Sequence, residues 1–524
     1  MVCLLAPLVV AIPMAADAGA TALAAWVEPS TVRVPITASR HSRSVAVIDA
    51  ARGETESFQV VARAVGGPLR TDTVRVSPLR RAGGGEITGR SVALFREHYV
   101  QVRRHSPRWS GRVVPWRWFP DALVPFVDPV TGRAPRAGSR YPASPFGVRA
   151  GRVQPVWVDV TVPYGTAAGS YTGTWMVVAR SSTGRKLTRT GSVSLRVRDF
   201  DLPVSPASSS RFSIRRPENR RAAVEDLLLR YRVQPTPTTP SREGVMRRRG
   251  LASADLRLWS GADVAHCAMA PAPSPEAVQA QVGAHHPALR LYDYSADEVS
   301  ACPGLTPSLA DWGRALHANG IDHLVTVRPR EDLMDDGTGR PVVDIWGLLP
   351  WQLRRLDPAL RARIEAAGGE LWSYQALVQG RRTPSWQLDF PVTHYRVLGG
   401  FLNASQGVTG LLYWGVDRWQ RDPWTDPTYT HTTSCCFPGD GTLVYPGGPA
   451  GVVGVVPSIR LAMVRDGMDD YDYVALMRAR GAGTEAEALI APAATSWWRW
   501  TTDGRVLADV RHRLADVLES LGAT

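Results

Sequence analysis

The chain has 524 residues, enough for about two to four domains, and 44% of them are hydrophobic, as in a globular protein with large cores. A net charge of +13 could indicate a nucleic-acid partner, but Lys186 is the only lysine and the arginines are scattered along the chain. This composition argues against a nucleic-acid-binding surface and favours a solvated positive face, with an anionic glycan as an alternative partner.

The N-terminal segment, residues 1–25, resembles a signal peptide. It has an apolar stretch followed by small residues suited to cleavage, although it lacks a positively charged start. We therefore expect export, to the cell envelope or outside the cell; a buried strand is the alternative. No other segment reaches the roughly 18 apolar residues of a membrane span.

Four cysteines follow this segment and can pair in several ways: Cys267, Cys302, Cys435 and Cys436. Because a disulfide between neighbouring residues strains the peptide, we expect Cys435 and Cys436 to have separate partners. Neither the cysteines nor the histidines have the spacing of a metal site, so we expect no metal and no cofactor.

Residues 26–203 alternate between apolar and polar side chains in short runs that end at glycine or proline. This pattern predicts an antiparallel β-sandwich. Residues 204–210 are rich in serine and are typical of a linker.

Strands and helices alternate in residues 211–456. The pattern predicts strands at 289–294, 323–327, 342–346, 371–374 and 410–415, and helices at 224–231, 309–317, 353–367 and 393–402. Such alternation over about 250 residues favours a (β/α)8 barrel, with a doubly wound sheet as the alternative. Residues 457–524 predict helices, at 458–479 and 507–521, that pack on this barrel.

Several predicted strands end in acids or aromatic residues, and strand ends meet at one rim of a barrel. Carboxylates surrounded by aromatic rings are typical of sugar-binding sites. The candidate catalytic residues are Asp297 and Glu298, and the candidate substrate-binding residues are Asp344, Trp346, Trp372, Tyr374, Tyr413, Trp414 and Asp417.

The adjacency of Asp297 and Glu298 restricts the mechanism. Ordinary glycosidases place two carboxyl groups on opposite sides of the bond, about 5–5.5 Å apart when retaining and about 6.5–9.5 Å apart when inverting. Consecutive residues can instead act from one side if a 2-acetamido group of the substrate is the nucleophile. Asp297 would then stabilise the acetamido group, and Glu298 would be the acid and base. A pair of distant acids, Glu298 with Asp344 or Asp417, is the alternative.

Both regions of the chain contain short motifs that are specific when taken together and in this order. The first region carries the motifs Gly53-Glu-Thr-Glu-Ser-Phe-Gln-Val-Val, Pro120-Asp-Ala-Leu-Val-Pro, Pro155-Val-Trp-Val-Asp-Val-Thr-Val-Pro and Ala168-Gly-Ser-Tyr-Thr-Gly. The second carries Val343-Asp-Ile-Trp, Glu370-Leu-Trp-Ser-Tyr, Gly410-Leu-Leu-Tyr-Trp-Gly, Gly439-Asp-Gly-Thr-Leu-Val-Tyr-Pro-Gly and Arg465-Asp-Gly-Met-Asp-Asp-Tyr-Asp-Tyr.

With these motifs the chain resembles glycoside hydrolase family 123 and its sister group, domain of unknown function 4091. The resemblance implies a β-sandwich, a catalytic barrel and substrate-assisted exo-β-N-acetylgalactosaminidase activity, with an Asp-Glu pair that maps onto Asp297 and Glu298. Val299 stands where the family often has proline, and the nearest proline is Pro303. We therefore expect a secreted hydrolase of terminal β-linked N-acetylhexosamine. The alternatives are a non-catalytic glycan-binding or envelope protein, and a glycosidase with another sugar specificity.

Overall fold

The computed structural model describes residues 21–107, 109, 111–216, 221–377, 380–431 and 435–522. Most of the predicted signal peptide, residues 1–20, lies outside these residues. Its last residues, from Ala22 onward, begin the first strand of the fold.

The N-terminal region is built from strands with short connections. They are β1 Ala22–Pro29, β2 Val45–Arg52, β3 Thr55–Val65, β4 Leu69–Val76, β5 Leu79–Arg81, β6 Glu86–Ile87, β7 Val92–Gln101, β8 Trp118–Pro125, β9 Phe146–Val148, β10 Val153–Thr161, β11 Gly169–Ser181 and β12 Lys186–Asp201. One sheet has the order β1-β3-β10-β7-β8 and the other β2-β12-β11-β4-β9, with β5 and β6 attached to the second. The pairing is antiparallel except between β2 and β12, which run parallel.

The side chains of strand β10 alternate between two hydrophobic cores, one on each face of the sheet. Val156, Val158 and Val160 belong to a core that contains residues of both sheets. Trp157 points the other way and packs into the core of the C-terminal region. The N-terminal region is therefore attached to the rest of the chain by a buried sheet face.

The C-terminal region alternates strands and helices. It consists of β13 Ser209–Ser213, α1 Arg221–Arg230, β14 Pro235–Thr236, α2 Glu243–Arg247, β15 Ser253–Asp255, α3 Pro275–Ala284, β16 Arg290–Ala296, α4 Thr306–His317, β17 Asp322–Val325, β18 Ile345–Leu348, α5 Pro350–Leu353, α6 Pro358–Ala366, β19 Glu370–Gln375, α7 Thr393–Val397, α8 Asn403–Ser405 and β20 Gly410–Tyr413. Pro358 and its capping residue Asp357 divide the predicted helix 353–367 into two.

The eight strands form a parallel, nearly closed barrel of order β14-β13-β20-β19-β18-β17-β16-β15. The remaining gap between β14 and β15 is bridged by the side chain of Gln234, which donates to Gly250 O and accepts from Ala252 N, both at 2.9 Å. Between β17 and β18 the described chain has only a 3-10 turn, Glu331–Leu333, so the alternation with α-helices is incomplete there.

The chain then forms three short hairpins and three helices: β21 Thr428–Tyr429, β22 Phe437–Pro438, β23 Val444–Pro446, β24 Val455–Pro457, α9 Ile459–Ala479, α10 Gly483–Ile490, β25 Ala494–Ser496, β26 Arg499–Trp500 and α11 Gly504–Ser520. The two predicted C-terminal helices are confirmed as α9 and α11. Helix α9 is buried over most of its circumference, because it packs between the barrel and the N-terminal sheets. Among the described helices, none is long and apolar enough to span a membrane.

The cysteine prediction was wrong in one respect. Cys267 and Cys302 lie on the loops after the neighbouring strands β15 and β16, with their Cα atoms 5.3 Å apart, and form a disulfide. Cys435 and Cys436 are paired with each other.

Candidate active site

Asp297 and Glu298 follow β16 directly, at the carboxyl end of the barrel strands. Just before them, the side chains of alternate residues stop pointing to the same side of the sheet. Tyr294 lies in the small core inside the barrel, whereas Ala296 lies in the core shared with the helices. A register shift between these two residues accounts for the change. Glu298 then adopts the left-handed conformation, with φ 52° and ψ 30°, which is uncommon for a residue other than glycine. Both carboxylates consequently face one pocket.

Each carboxylate is held by hydroxyl groups. Asp297 Oδ1 accepts a hydrogen bond from Tyr294 OH and one of 2.8 Å from Thr326 Oγ1. Glu298 Oε1 accepts a bond of 2.8 Å from Tyr374 OH, and the backbone N–H of Glu298 donates to Thr326 Oγ1 at 2.7 Å. The threonine thus links the side chain of one acid to the backbone of the other and fixes their relative position.

Tyr294 and Tyr374 keep their hydroxyl protons and so donate hydrogen bonds to the two acids. Burial raises the pKa of Tyr294 well above its usual value, and the nearby Asp297 carboxylate raises it further. The pKa of Tyr374 is raised in the same way by burial and by Glu298. Among the described residues, no arginine or histidine forms an ion pair with either carboxylate, so neutral groups orient both acids.

The pocket around the two acids has a volume of about 200 Å³ and combines aromatic, apolar and basic side chains. It is lined by Arg211, Arg215, Tyr294, Asp297, Glu298, Thr326, Tyr374, Ala376, Leu377, Leu412, Trp414, Tyr429 and His431. Arg211 is tied to Asp255 at 2.8 Å and lies over the ring of Tyr294. Trp414 and Tyr429 meet edge to face, with ring centres 5.0 Å apart.

Four of the nine candidate residues therefore come together in the pocket: Asp297, Glu298, Tyr374 and Trp414. Two more are buried next to residues that line it. Trp372 is buried inside the barrel, one layer below Tyr374, and its indole N–H donates to Glu370 at 2.8 Å. Tyr413 is fully buried and supports the rim, accepting from Gly441 N at 2.8 Å and donating to Asp440.

The other three candidates lie away from the pocket. Asp344 precedes β18 instead of ending it, because the strand begins three residues later than its sequence predicts; it binds His317 at 2.9 Å and Arg340 at 2.8 Å. Burial opposes ionisation of Asp344, but these partners lower its pKa to about 2. Trp346 is fully buried in the core shared with the helices.

Asp417 also binds groups of the fold instead of facing the pocket. Its two carboxylate oxygens accept the backbone N–H groups of Arg215 and Arg216, at 2.7 Å and 3.1 Å. Asp417 and Asp344 both lie outside the pocket lining, so the structure gives no support to a distant pair with Glu298.

The sequence did not single out Tyr294, Thr326, Arg211 or Arg215 as site residues. Tyr294 and Thr326 follow from position, because each lies at the carboxyl end of a strand next to the acid pair. The arginines carry no such signal, since they are two among many in the chain.

A larger cavity of about 380 Å³ lies between Arg90 of the N-terminal region and helix α1. Asp226 is the one carboxylate among the described residues that line it, and it is paired with Arg242 and Arg249 at 2.7 Å each. The described lining offers no pair of available acids, so the barrel pocket is the candidate active site. Among the described residues, no cluster of histidine, cysteine or acidic side chains is arranged to hold a metal ion.

Residues 352–477 match the glycoside hydrolase 123 catalytic domain. This segment supplies Tyr374, Trp414 and Tyr429 to the pocket, whereas Asp297 and Glu298 precede it. The resemblance to family 123 drawn from the sequence motifs is thereby confirmed.

The fold of nearly the whole chain is shared with a family 123 glycoside hydrolase from Clostridium perfringens. The structures align with a TM-score of 0.64 and 12% identity, covering 95% of this chain and 98% of that one. A PapD-like domain of human CEP192 aligns with 37% of this chain and 96% of its own length, at 13% identity and a TM-score of 0.16. No curated protein matches the chain in sequence.

Proposed function

We propose that the protein is an exported glycoside hydrolase that removes terminal β-linked N-acetylhexosamine, N-acetylgalactosamine in particular, by a substrate-assisted retaining mechanism. The observation that carries the proposal is the placement of two consecutive carboxylates on one side of one pocket. Two supports are added: the family 123 match, and the fold shared with a Clostridium perfringens enzyme described as hydrolysing glycolipid glycans. A (β/α)8 architecture for the catalytic region is part of the same proposal.

In the first step Glu298 donates its proton to the glycosidic oxygen as the bond to the anomeric carbon breaks. The 2-acetamido carbonyl oxygen of the same sugar forms the new bond to that carbon and closes a five-membered ring. Asp297 accepts the acetamido N–H and balances the positive charge that develops there. The leaving alcohol departs with the proton of Glu298.

In the second step the Glu298 carboxylate removes a proton from water, and the water oxygen attacks the anomeric carbon. The five-membered ring opens, the acetamido group is restored, and the product has the same anomeric configuration as the substrate. Glu298 regains its proton and is ready for the next cycle. Because the nucleophile belongs to the substrate, a second carboxylate on the opposite side is not required.

The remaining pocket residues suit a pyranose. Trp414, Tyr429 and Leu412 offer apolar surface for the C–H face of a sugar ring, and the hydroxyls of Tyr294 and Tyr374 hold the acids in place. Thr326 connects the two acids, so a substrate that displaces one would also disturb the other.

The test is a panel of aryl β-glycosides: N-acetylgalactosaminide, N-acetylglucosaminide, galactoside and glucoside. We expect hydrolysis of the acetamido sugars and release of the β-anomer first, with activity lost in Asp297→Asn and Glu298→Gln. The matched control is Glu331→Gln, an acid after the next strand whose side chain is 74% exposed and lies outside the pocket.

Three outcomes separate the alternatives. Equal hydrolysis of sugars with and without the acetamido group would indicate a glycosidase that supplies its own nucleophile. No hydrolysis of any substrate by the wild type, together with measurable binding of the sugars, would favour a glycan-binding protein. Release of the α-anomer first would exclude the retaining mechanism.

Export is the separate part of the proposal. It rests on the apolar N-terminal segment and on the Cys267–Cys302 disulfide, which suits an oxidising compartment. N-terminal sequencing of protein recovered from the medium or the cell envelope tests it. Recovery in the cytoplasm with an intact first segment would contradict it.

A further inference from the structure

The tip of the β25–β26 hairpin carries an exposed tryptophan between two arginines. Trp498 keeps 49% of its surface exposed. The guanidinium carbon of Arg354 lies 3.7 Å from its ring centre, and that of Arg382 lies 5.2 Å from it. Arg355, over the ring of Trp351, adds a third charge beside them. We call these five residues the tryptophan–arginine patch.

The positive charges of the patch are not balanced within the described part of the chain. None of its three arginines has a carboxylate partner there, although many other arginines of the protein do, such as Arg363 with Glu331. Burial, followed by the charges of Arg355 and Arg382, lowers the pKa of Arg354. Arg354 Nε is also buried without a hydrogen-bond partner. Like charges gathered in this way favour an external anion.

Stacking against an indole prepares arginines for anion binding. The ring contacts the flat face of the guanidinium group and leaves the N–H groups at its edge available to a carboxylate or sulfate. Two guanidinium groups held on the same tryptophan lose less conformational freedom on binding than two independent side chains.

The patch lies on the same rim as the acid pair. Arg354 follows α5, which begins just beyond the carboxyl end of β18, and Arg382 lies in the loop after β19. That loop begins with Ala376 and Leu377, which line the pocket. The indole N–H of Trp500 donates to Arg382 O at 3.3 Å and attaches the hairpin to the loop.

We propose that the tryptophan–arginine patch binds sulfate or carboxylate groups of an anionic glycan, at a distance from the sugar that enters the pocket. The connection to catalysis rests on the proposed function, whereas anion binding by the patch does not. The ligand class is a polysaccharide with repeated sulfates or uronic acids, because such a chain carries its charges along its length and not only on its terminal sugar.

The experiment measures the binding of the full-length protein to immobilised chondroitin sulfate and hyaluronan at physiological salt, with neutral dextran and duplex DNA as comparisons. We expect Arg354→Gln/Arg382→Gln to weaken binding to the anionic glycans by at least about tenfold, as the loss of charge-assisted hydrogen bonds implies. Trp498→Ala should weaken it without any change of charge. Arg354→Lys/Arg382→Lys should also weaken it, because lysine lacks the planar fork.

The matched control is Arg75→Gln/Arg189→Gln, which removes the same charge from exposed positions on β4 and β12. Equal weakening in the control and the patch variant would show attraction by net charge and overturn the proposal. So would undetectable binding by the wild type, equal binding of dextran, or tighter Trp498-dependent binding of DNA. Aryl-glycoside hydrolysis by the same samples reports on the proposed function separately, because small aryl substrates do not need the patch.

Discussion

The protein contains two groups of closely packed acids that differ in their partners. In the pocket, Asp297 and Glu298 are held by the hydroxyls of Tyr294, Thr326 and Tyr374. Around helix α9, buried acids are instead paired with buried arginines, and some of these pairs cross the boundary between the barrel and the N-terminal sheets.

Asp121 of β8 is the clearest case in the second group. It binds Arg460 of α9 at 2.8 Å, and both side chains are fully buried. Tyr445 OH also donates to Asp121. Elsewhere on α9, Asp470 binds Arg396 through two bonds of 2.6 Å and 2.7 Å, and Arg465 reaches Asp159 of β10 at 3.3 Å. The pairs of Asp121 and Asp159 join the two regions of the fold, whereas that of Asp470 joins α9 to α7.

The difference shows what each group can do. An acid held by neutral hydroxyls can gain or lose a proton without leaving another charge unbalanced. An acid paired with a buried arginine cannot, because the arginine would remain charged in an apolar environment. The pocket acids are therefore suited to proton transfer, and the acids around α9 to holding the fold together.

The largest expected effect tests the pocket. Glu298→Gln should lower kcat/KM on an aryl N-acetylgalactosaminide by about 10³-fold, within the range for loss of a general acid. The thermal unfolding temperature should change little, because glutamine can still accept from Tyr374. Activity within a few-fold of the wild type would contradict the assignment of Glu298.

The next effect is on stability, and it is expected where the barrel meets the N-terminal sheets. Asp121→Ala leaves Arg460, and also Arg33 at 3.7 Å from Asp121, buried without a carboxylate, so the free energy of unfolding should fall by about 3–5 kcal/mol. Denaturant titration measures the loss. The double variant Asp121→Leu/Arg460→Met should recover part of it, because the charge of Arg460 is also removed and only that of Arg33 remains. A single variant as stable as the wild type would show that the pair does not hold the regions together.

A smaller effect is expected from the hydroxyl that orients Glu298. Tyr374→Phe removes the 2.8 Å hydrogen bond to its carboxylate and should lower kcat by about 10- to 100-fold with little change in KM. Tyr292→Phe, on the same barrel face but below the pocket, is the matched control and should keep most of the activity. Equal losses in the two variants would point to general disturbance of the barrel core.

The smallest effect, counted per pH unit, concerns Asp440 behind the pocket. Burial raises its pKa to about 7 in the folded protein, from 3.8 for an ordinary aspartate, while Leu377 N and Tyr413 OH hydrogen-bond to it. The folded state therefore holds this proton more tightly than the unfolded state. Its stabilising contribution is complete below about pH 4 and is lost as the pH rises to about 7.

Asp440→Asn removes this titration. Between pH 4 and 7 its free energy of unfolding should fall less steeply than that of the wild type, by up to about 1.4 kcal/mol per pH unit. Asp311→Asn, an exposed acid of α4, is the control and should keep the wild-type slope. Identical slopes in Asp440→Asn and the wild type would show that Asp440 does not titrate in this range.

The amino-acid sequence alone determined the order of the β-rich region and the alternating β/α region along the chain. It also determined the two C-terminal helices and the acid pair at the end of β16. These follow from local patterns: side-chain period, turn residues and neighbouring charges. The resemblance to family 123 also came from short motifs, each of which is a local feature.

Only the tertiary structure decided which strand-end residues share the pocket. Asp344 and Trp346 lie away from the pocket because β18 starts three residues later than predicted. Local propensity does not resolve a shift of this size. The carboxylate of Asp417 accepts hydrogen bonds from the backbone of Arg215 and Arg216, which come from the other end of the barrel sequence. Cys435 and Cys436 paired with each other because Cys267 and Cys302 were already adjacent in space. The partners of Asp417 and of Cys267 are distant in the sequence, so their proximity arises only when the barrel brings the strand ends together.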